Sequence, residues 1–121
     1  MVTLDEISHL VGKTIYDGLA RDGGARFEAI KKEAMQRINA ITGTNLTTSG
    51  DRPQSLDWVV TPFAWIVEYI ALAHIQNISG EYLEYAKYKY KEALDICAAH
   101  ASPIKTGRRT SIGIIDGAYE L

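Results

Sequence analysis

The sequence predicts an all-α fold: a small bundle of three to four helices with an extended C-terminal tail. Three observations carry that expectation. In "ARFEAIKKEAMQRINAITG", Phe27, Ile30, Ala34, Ile38 and Ile41 recur at three- and four-residue spacing and share one helical face. The stretch "TPFAWIVEYIALAHI" is apolar nearly all round, as expected of a helix covered on both sides. Gly12, Gly43, Gly80 and Ser102-Pro103 punctuate the periodic segments where helices would stop. With 121 residues, 46% apolar and 23% charged, the chain is long enough for one domain with its own core. The expected organisation is a helical bundle over residues 1–103 and a flexible or extended docking tail over residues 104–121.

The elements follow in chain order. "TLDEISHLVGK" opens with Thr3 as cap and Glu6 three residues on, a capping box, and Gly12 ends this short helix. Gly18, Gly23 and Gly24 make "TIYDGLARDGGA" a bend or mobile connector. The amphipathic helix from Ala25 stops at Gly43, and "TGTNLTTSGDRPQS" is an exposed loop over residues 42–55. "LDWVV" reads as a short turn or extended piece. Pro62 suits a first helical position with Thr61 as cap, and the helix runs from Phe63 to Ile78. One of its arcs holds Phe63, Ile66, Val67, Ile70, His74 and Ile78, and the other holds Trp65, Tyr69 and Leu72. In so small a domain, one of the two covers is expected to be another subunit. Beyond Gly80, "EYLEYAKYKYKEALDICAAHA" forms the last long helix. "TSIGIID" in the tail forms a strand only if it finds an edge to pair with.

At about 100° per residue, Leu83, Ala86, Tyr90, Ala93, Leu94 and Cys97 make the apolar arc of the last helix. Tyr90 is then core with its hydroxyl at the boundary. Tyr82 and Tyr85 lie on a flank with Lys89 and Ile96, and Tyr88 faces the charged side. Four tyrosines spread in this way make no stacking platform for single-stranded nucleic acid, which needs aromatics and cations on one face. The flank suits a protein contact, in which tyrosine is enriched; packing under the protein's own loops is the plain alternative. The candidate interface is therefore Trp65, Tyr69 and Leu72 with Tyr82, Tyr85 and Ile96.

The chemistry the residues offer is sparse. The net charge of −2 provides no basic field for nucleic acid or an anionic membrane. The most apolar stretch is short for a bilayer and contains Glu68, so no membrane association is expected. No basic region precedes an apolar run at the N-terminus, so no signal peptide is expected. Cys97, the only cysteine, excludes an internal disulfide and sits on a core arc as a buried thiol. His9, His74 and His100 share no metal-ligand spacing, and His74 reads as a hydrogen-bonded core histidine. "DGGAR" lacks the lysine and Ser/Thr of a phosphate loop and reads as a hinge. Glu68 inside an apolar helix calls for a salt bridge or hydrogen bond across an interface. No acid/base pair is visible, so neither catalysis nor a cofactor or metal is expected. In the tail, Lys105, Arg108 and Arg109 form a positive patch, and Ile112, Ile114, Ile115 and Tyr119 lack a core of their own. Both point to docking on a partner, with strand addition as one mode.

The layout of residues 3–100, from the capped "VTLDEISHLV" through "RINAITG" and "TPFAWIVEYIALAHI" to "EYLEYAKYKYKEAL", resembles the small head–tail connector (adaptor, or head-completion) proteins of tailed bacteriophages and related gene-transfer particles. The likeness is one of pattern and size, since that family has no catalytic motif to match. It implies a virion protein, made in the bacterial host cytoplasm, that assembles as a ring, commonly of twelve copies, beneath a portal protein. The ring would extend the channel through which DNA passes without sequence-specific binding, and would present a surface to a tail or stopper protein. The tail from Ile104 and the loop over residues 42–55 would be the gripping segments. The alternative reading is a small helical DNA-binding or regulatory protein, although neither long helix is basic.

Overall fold

The computed structural model describes residues 1–75 and 78–101. Every regular element among them is helical: α1 (Leu4–Ile7), α2 (Lys13–Thr42), a 3-10 turn (Gln54–Val59), α3 (Val60–Leu72) and α4 (Gly80–Ala99). α3 is the centre. It packs against α4 and α2, with α1 and the 3-10 turn closing over it. The tail, with its strand expectation and its residues Lys105, Arg108, Arg109, Ile112, Ile114, Ile115 and Tyr119, lies outside the described residues.

The capping box forms as expected. Thr3 Oγ1 accepts from the Glu6 amide, and Glu6 Oε1 accepts from the Thr3 amide at 2.9 Å. Gly12 does not end this helix, which stops at Ile7; it is the N-cap of α2 instead. The glycine-rich segment expected as a connector is helical from Lys13, with Ile15 and Leu19 buried. The helix breaks only at Arg21–Gly24, where Asp22, Gly23 and Gly24 take φ of 54°, 68° and 86°. Left-handed backbone costs a glycine nothing and Asp22 about 1 kcal/mol. After the break, Phe27, Ile30, Ala34, Met35 and Ile38 are buried, and Gly43 closes the helix at φ 76°.

The loop after α2 is tied down more than its composition suggests. The Asn39 side chain holds both the N–H and the C=O of Leu46, at 2.9 and 2.8 Å, and accepts from Thr44 Oγ1. "LDWVV" belongs to the 3-10 turn, which runs straight into α3. Thr61 is therefore inside the helix rather than its cap. Pro62 sits in the first turn of α3, where proline is best tolerated. α3 ends at Leu72, short of the expected Ile78. Its 13 residues span about 20 Å, less than the ~30 Å of a bilayer core. With the 3-10 turn included, Gln54–Leu72 is long and apolar enough to cross a membrane. Here it serves as the core element, with Glu68 buried at its centre.

Phe63, Ala64, Ile66 and Val67 are at most 1% exposed. Removing each of the larger ones from water contributes roughly 1.5–3 kcal/mol. The Phe27 and Phe63 rings meet edge to face at 6.2 Å. The second cover expected from another subunit is supplied by this chain: α2 and α4 together enclose α3. His74, expected in the core, is exposed, because the helix stops before reaching it.

Candidate protein-interaction surface

The surface is best built from the inside, beginning at Glu68. Its carboxylate has no solvent exposure and reaches two other elements, the start of α2 and α4. Oε2 accepts from the Gly12 amide at 2.8 Å and from the Tyr82 hydroxyl at 2.7 Å. Lys89 Nζ lies 2.5 Å from Oε1. That contact is an ion pair without good hydrogen-bond alignment, so Oε1 is neutralised by charge rather than by a directed bond. The glutamate thus fastens α4, through Tyr82 and Lys89, to α3 and to the start of α2. Burial and the bond to Glu68 raise the Tyr82 pKa well above the ordinary tyrosine value. The salt bridge and hydrogen bonds expected across an interface are internal to the chain.

Gly12 is required here by space. A Cβ on it would lie 2.1 Å from the Tyr82 hydroxyl oxygen and 2.9 Å from Cζ. The missing side chain is what lets Tyr82 reach the carboxylate.

Further along α4, Tyr90 stacks on Tyr69 with ring centroids 4.2 Å apart, and its hydroxyl accepts from Arg37 of α2 at 3.1 Å. Tyr90 is thus half-buried with a bonded boundary hydroxyl, as its place on the helix suggested. Cys97 is fully buried, and burial pushes its thiol up to about 11, which keeps it protonated and inert at neutral pH. Near the end of α4, His100 stacks on Trp58 of the 3-10 turn at 3.9 Å and nearly parallel.

What remains outside is informative. Tyr85 and Tyr88 are exposed by 59% and 62%, the only large apolar side chains so exposed among the described residues. They stand one helical turn apart on α4. The Tyr85 ring is held from behind by Lys89, whose Nζ is 4.8 Å from the ring centroid. One lysine thereby links the buried carboxylate to an exposed ring. Exposed Glu81, Glu84, Lys87, Lys91 and Asp95 surround the tyrosines, giving α4 an aromatic outer face of mixed charge.

Of the interface residues expected from the sequence, Tyr85 is exposed, while Trp65, Tyr69, Tyr82 and Ile96 are half-buried. Leu72 is only 5% exposed and is covered by the chain itself, so it is not accessible to a partner. The Tyr82 hydroxyl is turned inward to Glu68. Tyr88, which helical spacing places in solvent outside the expected interface, stands beside Tyr85, as their i, i+3 spacing signals.

A second feature is a groove of about 750 Å³ at the break in α2. Ile15 and Ile30 from the two halves of that helix, with Ala71 and Ile75 at the end of α3, form an apolar floor. Arg21, Asp22, Arg26 and His74 stand around it. No grouping of three or more His, Cys, Asp or Glu suited to a metal occurs among the described residues. No protein-family model, curated protein or solved structure matches the chain.

Proposed function

We propose that this protein is a structural head–tail connector of a tailed phage-like particle, working by assembly rather than catalysis. In this reading it forms a homo-oligomeric ring between a portal protein and a tail or stopper protein, and DNA passes through the ring without being read. The observation that carries the reading is the pair Tyr85 and Tyr88, exposed by 59% and 62% on a helix fastened to the core through Glu68. Rigid exposed aromatics lose little conformational entropy when covered, and tyrosine is favoured in protein interfaces. In a closed ring each copy is held by two neighbours, so individually weak contacts add up to a stable assembly.

The test is an affinity pulldown from cells producing the native particle, comparing the full chain with its Tyr85→Ser/Tyr88→Ser variant and with a chain ending after Pro103. Recovery of a portal or tail protein by the full chain, reduced in either altered form, is the expected result. Recovery of nucleic acid or a metabolic enzyme with no virion protein would overturn the reading. Salt-dependent DNA binding would then favour a small DNA-binding or regulatory protein.

A further inference from the structure

The groove at the break in α2 carries an inference that stands apart from the connector reading. Of the four arginines among the described residues, Arg37 and Arg52 are spent on carboxylates of this chain. Arg21 and Arg26 take part in no ion pair or hydrogen bond among the described residues, and both line the groove. Asp22 is the only carboxylate there. The result is an apolar floor rimmed by two free guanidiniums, on a protein whose net charge is −2. A site of this size and half-open form suits a short peptide segment with apolar side chains and carboxylates.

The chain contains such a segment. Residues 111–121, "SIGIIDGAYEL", have Ile112, Ile114, Ile115 and Tyr119 as apolar side chains, Asp116 and Glu120 as acids, and no Lys or Arg. This segment lies outside the described residues. Where the described chain leaves off suits supply by a neighbouring copy. Ala101 follows His100, which stacks on Trp58 just before α3 begins. The groove lies at the other end of α3, at Ala71 and Ile75, about 20 Å away by helix rise. With the chain leaving off at one end of the molecule and the receiving groove at the other, copies can join head to tail. Sedimentation separates this from docking within one copy, which residues 102–110 are long enough to reach.

We propose that the groove receives residues 111–121 of a second copy of this chain. The isoleucines and Tyr119 pack on the accessible apolar lining at Ala25, Ala29 and Ile75, above the buried Ile15 and Ile30, while Asp116 and Glu120 face Arg21 and Arg26. The contact is heterologous: each copy offers a groove to one neighbour and a segment to another.

Sedimentation velocity across a concentration series tests this on full chains. Wild type should associate progressively, and less at high salt. Two charge reversals, Arg21→Glu/Arg26→Glu and Asp116→Arg/Glu120→Arg, should each remain monomeric while melting as wild type does. Mixed in equal amounts, they should associate again past the dimer, because the native segment matches the native groove at one junction and the reversed segment matches the reversed groove at the next. A labelled peptide of residues 110–121 should bind wild type at least tenfold more tightly than Arg21→Glu/Arg26→Glu. A wild type that stays monomeric at every concentration overturns the inference. So does an equal peptide affinity for both proteins, or a mixture that stays monomeric. None of these outcomes bears on the Tyr85→Ser/Tyr88→Ser arm of the pulldown, so the two proposals fail separately, while truncation after Pro103 removes the segment and touches both.

Discussion

Lys89 Nζ lies 2.5 Å from Glu68 Oε1, pairing the two charged side chains that the bundle buries. The Glu68 side chain is wholly covered and that of Lys89 is 10% exposed. Removing charges from water costs several kcal/mol per ion, and their attraction repays it only while both remain. Lys89→Met alone should therefore destabilise the fold by about 3–5 kcal/mol, and Glu68→Leu alone by a similar amount. The double variant should lose less than the two single losses combined, and stay below wild type by about 1–3 kcal/mol because the Gly12 amide and the Tyr82 hydroxyl lose their acceptor. Urea unfolding of the four proteins measures the coupling, and additive losses would remove the pair's role.

Tyr82 gives this network a pH signature. Its pKa is raised by burial and by the bond to Glu68. The native state therefore keeps the phenolic proton where the unfolded chain gives it up. The stabilisation is fully present below the unfolded tyrosine value of about 10 and is lost as pH rises beyond it. In an ultraviolet titration one of the seven tyrosines should ionise late, coincident with alkaline unfolding. Tyr82→Phe should remove that late step and cost about 1–2 kcal/mol at neutral pH.

Gly12→Ala tests the close approach directly. The backbone there, at φ −64°, suits any residue. Any loss must therefore come from the new Cβ meeting the Tyr82 hydroxyl. The expected cost is about 1–3 kcal/mol. In a double-mutant cycle with Tyr82→Phe the losses should be less than additive, because both remove the same hydrogen bond.

Arg52 makes the opposite, acid-side prediction. Its guanidinium donates to both Glu6 oxygens, at 3.0 and 2.6 Å, to the Met1 carbonyl and to Asp57. The bonds from Arg52 and the Thr3 amide hold the Glu6 carboxyl down at about 2. A depressed carboxylate stabilises above its unfolded value near 4.5, and that stability disappears as pH falls toward 2. Solvent reaches this pair, so the effect is on the order of 1 kcal/mol. Thermal melts from pH 6 down to pH 2 should drop more steeply in wild type than in Arg52→Ala, with the two converging near the acid end.

Local rules were enough wherever neighbouring residues decide the outcome. The Thr3–Glu6 box, the stop at Gly43, the buried stripe from Phe27 to Ile38, and Ala86, Ala93 and Cys97 on the inner arc of α4 all depend on helical spacing and caps. The same spacing placed Tyr88 in solvent and Tyr90 at the boundary. His74 differs because the apolar pattern continues past Leu72, where packing and not a local stop residue ends the helix.

The tertiary structure alone decided what meets across the bundle. A glycine, a tyrosine and a lysine converge on Glu68 from positions 12, 82 and 89. Periodicity assigns Lys89 to a flank because a charge is presumed to seek water, and only a buried partner reverses that preference. The cover over the second face of α3 belongs to the same class. A hydropathy pattern states that a face must be covered, but whether the cover is this chain's own helix depends on how α2 and α4 pack. That choice is made by long-range contacts, which one-dimensional spacing does not encode.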